Sequence, residues 1–301
     1  MDTLTTPLMS RGQRDDAGML PALQKLLQLA YSENSDKQLE AVMGISKLVE
    51  RHPVNASSFG PLCHTLSRLA ASEQRAVVAY AARGIKLLVL DDALRPQATV
   101  AGIPSVLAAA LREWEDDAPC LREVLGALQT LCCDKATVGA VVNAGALGPV
   151  LELLDSRDLE LRILSTAIAA NALAFSDSLL LTNEECIDAF SECLEDLMDA
   201  ATRQVIDKLR QDVVRDYALA AVANACAHPV LAGHAKELGV LERFRFLLDP
   251  PRTAKVVPIF AGGVGGRFRV GRKQMWETAV ARLNGAGMGS TGNEGDIEEG
   301  G

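Results

Sequence analysis

Aromatic residues are scarce. Phe, Trp and Tyr supply 4% of the 301 residues, so the interior is not built on ring packing and no aromatic cluster marks a binding hot spot. The seven cysteines (Cys63, Cys120, Cys132, Cys133, Cys186, Cys193 and Cys226) form no CxxC pair and are odd in number. That argues against a disulfide framework or a zinc ribbon. Most lie in apolar helical stretches, where a free thiol behaves as a small hydrophobe, so we expect reduced thiols in a cytoplasmic protein, with nuclear and ciliary placement left open. His52, His64, His228 and His234 are scattered, and Cys63-His64 has no partners at metal-ligand spacing, so neither a metal nor another cofactor is expected.

Positive charge is also in deficit. Lys and Arg number 30 against 39 Asp and Glu, a formal net charge of -9. A general nucleic-acid binder needs a basic face to displace counterions from phosphate, so no nucleic-acid partner is expected. No stretch reaches 18 uncharged apolar residues, which leaves no membrane-span candidate. The start, MDTLTTPLMSRGQRDD, has no apolar run of signal-peptide length, and Asp2 stands where myristoylation requires glycine. Alternating β-branched runs are missing outside a few residues near Val256-Val257. The chain therefore reads as all-α.

What is present is Ala and Leu, within a 49% hydrophobic composition, arranged in a long repeat. Ala144-Gly145-Ala146-Leu147 opens a helix, and the same form recurs at Ala17-Gly18-Met19-Leu20, Phe59-Gly60-Pro61-Leu62, Ala101-Gly102-Ile103-Pro104 and Leu238-Gly239-Val240-Leu241. The glycines step from 18 to 60, 102 and 145, intervals of 42, 42 and 43 residues, and then by 94 to 239, two repeats with an insertion. A degenerate copy without the glycine begins near Cys186. Each marker should sit just ahead of an amphipathic helix, as Leu20, Leu23, Leu26, Leu27 and Ala30 illustrate. A polar loop (SENSD, ASEQ, EWEDDAP or DSRD) and a longer helix follow. In three copies an extra short helix can precede the glycine, as in ALRPQATV or KATVGAVVN. No single pair of such helices buries its apolar face, so neighbouring copies must stack.

This unit resembles the armadillo repeat: a short first helix, a second helix opening after Ala-Gly, and a long third helix ending in an ALxNL-like segment. The likeness is best in Ala144-Gly145-Ala146-Leu147 with Ile168-Ala169-Ala170-Asn171-Ala172-Leu173, continues in Ala220-Ala221-Val222-Ala223-Asn224-Ala225-Cys226, and spans residues 15 to 249. HEAT repeats share the superhelix but usually lack the short first helix and the glycine. The resemblance implies a right-handed α-α superhelix of about five repeats plus a partial C-terminal one, with the third helices lining a concave groove. Residues 1 to 14 are expected to be disordered, and residues 250 to 301 to form a Gly-rich tail with a short helix at 273 to 284.

In armadillo proteins the third-helix Asn faces the groove, where its amide can bond an extended peptide. Alignment puts Lys47, Leu87, Thr130, Asn171 and Asn224 at that position; one turn earlier lie Met43, Arg83, Gly126, Ala167 and Ala220, and two turns earlier Glu40, Tyr80, Glu123, Leu164 and Tyr217. The candidate groove residues are therefore Lys47, Tyr80, Arg83, Glu123, Thr130, Asn171, Tyr217 and Asn224. Nuclear-import receptors of this family place Trp before the Asn to make slots for Lys side chains. Here neither Trp114 nor Trp276 lies on a third helix, which argues against that ligand. Two roles stay open for Asn171 and Asn224: holding a partner's backbone, or fixing the stacking of their own repeats.

Three further stretches invite attention. Glu113-Trp114-Glu115-Asp116-Asp117 groups carboxylates in a loop, where they are normally solvated. Ile206, Leu209, Val213, Tyr217 and Ala220 keep helical spacing from Arg203 to Ala227, a helix of about 25 residues or roughly 37 Å, poised to bind a partner or the tail. The glycines of Phe260 to Lys273 lack the GK[ST] of a phosphate loop and read as linker. Arg267, Phe268, Arg269, Arg272, Lys273 and Trp276 could still dock on an acidic surface. No nucleophile, base and orienting group can be assembled. The expectation is a non-enzymatic scaffold or adaptor for protein partners. An exchange factor for a chaperone or small GTPase, or an architectural cytoskeletal or ciliary component, are the alternatives.

Overall fold

The computed structural model describes residues 16–52, 54, 56–175, 184–202, 208–243, 277, 280, 281 and 283. Among these no strand occurs, and the regular elements are helices. The first unit comprises α1 (Asp16–Ala30) and α2 (Ser35–Arg51), and the second α3 (Ala56–Ala70) and α4 (Arg75–Leu88). The third has three helices: α5 (Arg95–Val100), α6 (Ile103–Glu113) and α7 (Ala118–Leu131). The fourth repeats this with α8 (Lys135–Asn143), α9 (Leu147–Glu152, continued by a 3-10 turn over Leu153–Asp155) and α10 (Leu159–Ala174). The fifth has α11 (Glu184–Thr202) and α12 (Lys208–Ala225), and α13 (Pro229–Glu237) with α14 (Val240–Arg243) begins a sixth.

The long helices stack in chain order, α2 on α4, α4 on α7, α7 on α10 and α10 on α12, to form one layer. A second layer runs along its back through contacts of α1 with α3, α3 with α6, and α9 with α11. The reason is visible in α4. Val77, Val78, Ala81, Ala82, Ile85 and Leu88 form a buried stripe at helical spacing, while Tyr80, Arg83, Lys86 and Leu87 on another face stay half-exposed. Leu62, Leu66, Leu107 and Leu128 are fully buried in one continuous core, each worth roughly 1.5–3 kcal/mol relative to an exposed side chain.

Polar signals start the long helices. Asn34 accepts from the Asp36 and Lys37 amides, Asp117 from Cys120, and Asp158 from Glu160 and Leu161, satisfying donors that the first turn leaves unpaired. Gln74, at the same place before α4, makes no side-chain cap. Ion pairs link successive units through these caps: Arg75 of α4 meets Asp117 at 3.0 Å, and Arg122 of α7 meets Asp158. The acidic loop at 113–117 is thereby accounted for. Its Asp117 is a paired cap, and Trp114 closes the C-terminus of α6 and packs on the core.

One expectation needs correction. Gly102, Gly145 and Gly239 do occupy the left-handed region, at φ +77°, +70° and +70°, but Gly18 and Gly60 lie inside α1 and α3 rather than ahead of them. Where a separate first helix exists, the chain must swing sharply into the second: α8 and α9 lie at 94°. A turn this short requires the conformation that glycine adopts freely. Among the described residues the first two units show no separate first helix, and helix runs through the glycine. Pro21 and Pro61, each the sixth residue of its helix, leave one first-turn carbonyl without its usual i→i−4 donor. The projected helix from Arg203 to Ala227 is described as α12 over Lys208–Ala225; residues 203–207 lie outside the described set.

Candidate functional site

The face opposite the second-helix layer is floored by α2, α4, α7, α10 and α12. These helices pack side by side, and the aligned positions on them are not equivalent. Lys47 is exposed; Tyr80, Arg83 and Glu123 are half-buried. Arg83 reaches back to Glu50 of α2 at 3.4 Å, a pair open to solvent on both sides and therefore weak. Ser46, buried beside Lys47, donates its hydroxyl to the Tyr80 carbonyl at 2.9 Å and ties α2 to α4.

Two of the expected groove residues are buried. Thr130 is 3% exposed, and its hydroxyl donates to the Gly126 carbonyl one turn earlier at 2.9 Å. A short β-branched hydroxyl in a helix can bond back in this way, and here it leaves no group to present. Tyr217 is 8% exposed, sunk into α12, where its aligned counterpart Tyr80 on α4 stays half-open.

Asn171 and Asn224 remain half-buried on adjacent floor helices. Each uses one amide N–H on the preceding unit: Asn224 Nδ2 donates to the Ala170 carbonyl at 3.2 Å, and Asn171 Nδ2 points to Cys133 Sγ at 3.8 Å. Each keeps its Oδ1 and second N–H uncommitted among the described residues. An amide so held is oriented by its own scaffold and still has an acceptor and a donor to give, the pair of groups that an extended backbone offers in return.

Two participants were missed by sequence reasoning. Cys133 supplies the sulfur that Asn171 approaches, and Lys86 lies across α7. A Cβ built on Gly126 would come within 3.1–3.3 Å of the Lys86 Nζ, Cδ and Cε atoms. The available signal was Gly126 itself: glycine inside a helix costs about 1 kcal/mol against alanine, so its presence there marks a close approach.

Burial pushes the Cys63, Cys120 and Cys193 thiols up to about 12, and that of Cys132 higher still, away from the thiolate that acts as nucleophile. Burial also lowers His228. Among the described residues no cluster of His, Cys, Asp and Glu has the geometry of a metal site, and no single helix is long and apolar enough to cross a membrane. Arg267, Phe268, Arg269, Arg272, Lys273 and Trp276 lie outside the described residues.

No protein-family model and no curated protein sequence matches the chain. Solved structures do. An engineered protein shares 21% identity, covering 88% of this chain and 97% of its own, with a TM-score of 0.66. A computationally designed armadillo repeat protein for modular peptide recognition shares 18%, covering 87% and 98%, with a TM-score of 0.65. A designed armadillo repeat protein in complex with the peptide (KR)4 shares 18%, covering 87% and 98%, with a TM-score of 0.61. With its first-second-third helix order, its left-handed glycines and these structural neighbours, the chain is an armadillo-like α-solenoid.

Proposed function

We propose that this solenoid is a non-enzymatic interaction scaffold that holds an extended segment of a protein partner along its third-helix face, with Asn171 and Asn224 bonding the partner's backbone. The observation that carries the reading is the state of those two amides: on adjacent helices, half-buried, oriented by one bond each and with donor and acceptor to spare. It also joins the two roles open to these residues, since one N–H fixes stacking while the remaining groups face a ligand. A designed armadillo repeat protein among the structural neighbours is in complex with the peptide (KR)4, which supports a peptide segment as the partner. The charge pattern here differs from a single-sign groove, because Lys47, Arg83 and Lys86 alternate with Glu40, Glu50 and Glu123. Mixed signs favour a partner segment that is itself mixed rather than uniformly basic.

The test compares proteins recovered by the wild-type chain from native cells with those recovered by the Asn171→Ala, Asn224→Ala double variant. Thermal melting of both confirms that each is folded. Loss of a specific set of associations at a nearly unchanged melting temperature is expected. Retention of every association by the folded double variant would sink the groove reading.

A further inference from the structure

The two ends of the solenoid are not alike. At the N-terminal end, α2 has the open surface of an outermost helix: Asp36, Lys37, Glu40, Lys47, Glu50 and Arg51 are exposed. If the repeats ended with α14, α12 would be the outermost floor helix at the other end and should look the same. It does not. From Val214 to Ala225 every residue of α12 is buried except Arg215, Ala220 and Asn224, which are half-buried. Helices apolar on nearly all sides belong in the interior of a stack.

In the second and third units, the far side of each floor helix is covered by the next unit's own third helix, α7 on α4 and α10 on α7. The sixth unit has a first helix, α13, a left-handed Gly239 and a second helix, α14, whose Val240 is fully buried. Among the contiguous described residues up to Arg243 it has no third. Further along the chain, Glu277, Val280, Ala281 and Leu283 are helical, and Leu283 is 0% exposed and part of the same continuous core as the repeats. Val280 packs against that core, while Glu277 and Ala281 are exposed. Leu283 buried, Val280 partly buried at i−3 and Ala281 exposed at i−2 give this segment one core-facing side, broadly as Ile85 and Ala82 of α4 are buried while Arg83 between them is half-buried.

We infer that the segment around 277–283 is the displaced third helix of the sixth unit, the layer that closes the C-terminal end of the solenoid. Repeat stacks need such a terminal layer to shield the last apolar face. On this assignment the third helix of the sixth unit is separated in sequence from α14 by residues 244–276. The groove floor also extends one helix beyond Asn224, with Ala281 at a groove-facing position.

Hydrogen exchange on the full chain tests this with Leu283→Asp and, as an exposed control, Ala281→Ser. Burying a charge at Leu283 should detach the layer and raise amide exchange in α12 and α13 by at least about tenfold, leaving α2 and α4 unchanged, because coupling in a solenoid runs between neighbours. Ala281→Ser should change nothing. If Leu283→Asp prevents folding, Leu283→Ala is read by the same α12-to-α2 contrast. Exchange that rises only within 277–283, with α12 and α13 as protected as in the wild type, would overturn the assignment.

Discussion

The first two units and the next two carry the same sequence marker and use it differently. Around Gly18 and Gly60 the backbone is helical, whereas at Gly102 and Gly145 it is left-handed. The marker therefore does not dictate a conformation. What decides is whether a separate first helix stands before it, as α5 and α8 do, forcing a turn that only glycine makes at little cost. The units are thus alike in their cores and different at their entries.

That distinction predicts equal losses where the units are alike. Leu62 of α3 and Leu107 of α6 are both fully buried in second helices, so Leu62→Ala and Leu107→Ala should each destabilise by about 2–5 kcal/mol. Chemical denaturation of the two variants checks this. A loss below about 1 kcal/mol for Leu62 alone would show that the two-helix units are loosely packed, breaking the claim of a common core.

The entries to the third helices come next. Asp158 caps α10 with two backbone bonds and pairs with Arg122, while Gln74 caps nothing. Asp158→Ala should cost about 1–2 kcal/mol, and Gln74→Ala a few tenths at most. The Arg122 hydrogen bond holds the Asp158 carboxyl below its ordinary range. Its contribution is therefore present above the unfolded carboxylate pKa of about 3.9 and is lost as pH falls through the lower folded value. Denaturation at neutral pH and near pH 3 should show a smaller acid loss in Asp158→Asn than in the wild type.

The glycines themselves should respond with opposite signs. Gly102→Ala places a side chain at φ +77° with no steric contact within 4 Å, so the loss, about 1–2 kcal/mol, is conformational. Gly60→Ala, in a helix and equally free of contacts, should stabilise by about 0.5–1 kcal/mol. Melting curves decide it. Destabilisation by both would restore a common turn to all units.

Much of this architecture was legible before any coordinates. The period exposed the units, and ALRPQATV and KATVGAVVN contained the first helices α5 and α8. The groove was less legible, because exposure on a floor helix is set by the neighbour that covers it. Tyr80 and Tyr217 align in sequence yet differ in burial, Thr130 turns its hydroxyl to its own backbone, and the Asn224 bond to Ala170 crosses from one unit to another. None of these follows from helical spacing within a single segment.

Gly126 gives the finest probe of the contrast between turn glycines and helix glycines, because it combines helical backbone with a close neighbour. Alanine there should gain up to about 1 kcal/mol of helix propensity. Against this stands the contact at 3.1–3.3 Å with Lys86, but the atoms involved are the far end of a flexible side chain, which can swing away and lose only part of its packed stem. The expected balance is a gain of a few tenths of a kcal/mol with Lys86 displaced from α7. Measuring Gly126→Ala alone, Lys86→Ala alone and both together separates the terms: Gly126→Ala should gain more in the Lys86→Ala background than in the wild type, since no lysine remains to be displaced. Strict additivity in this cycle would mean that Lys86 does not rest on Gly126, and that the glycine is kept in α7 for some reason other than the close approach.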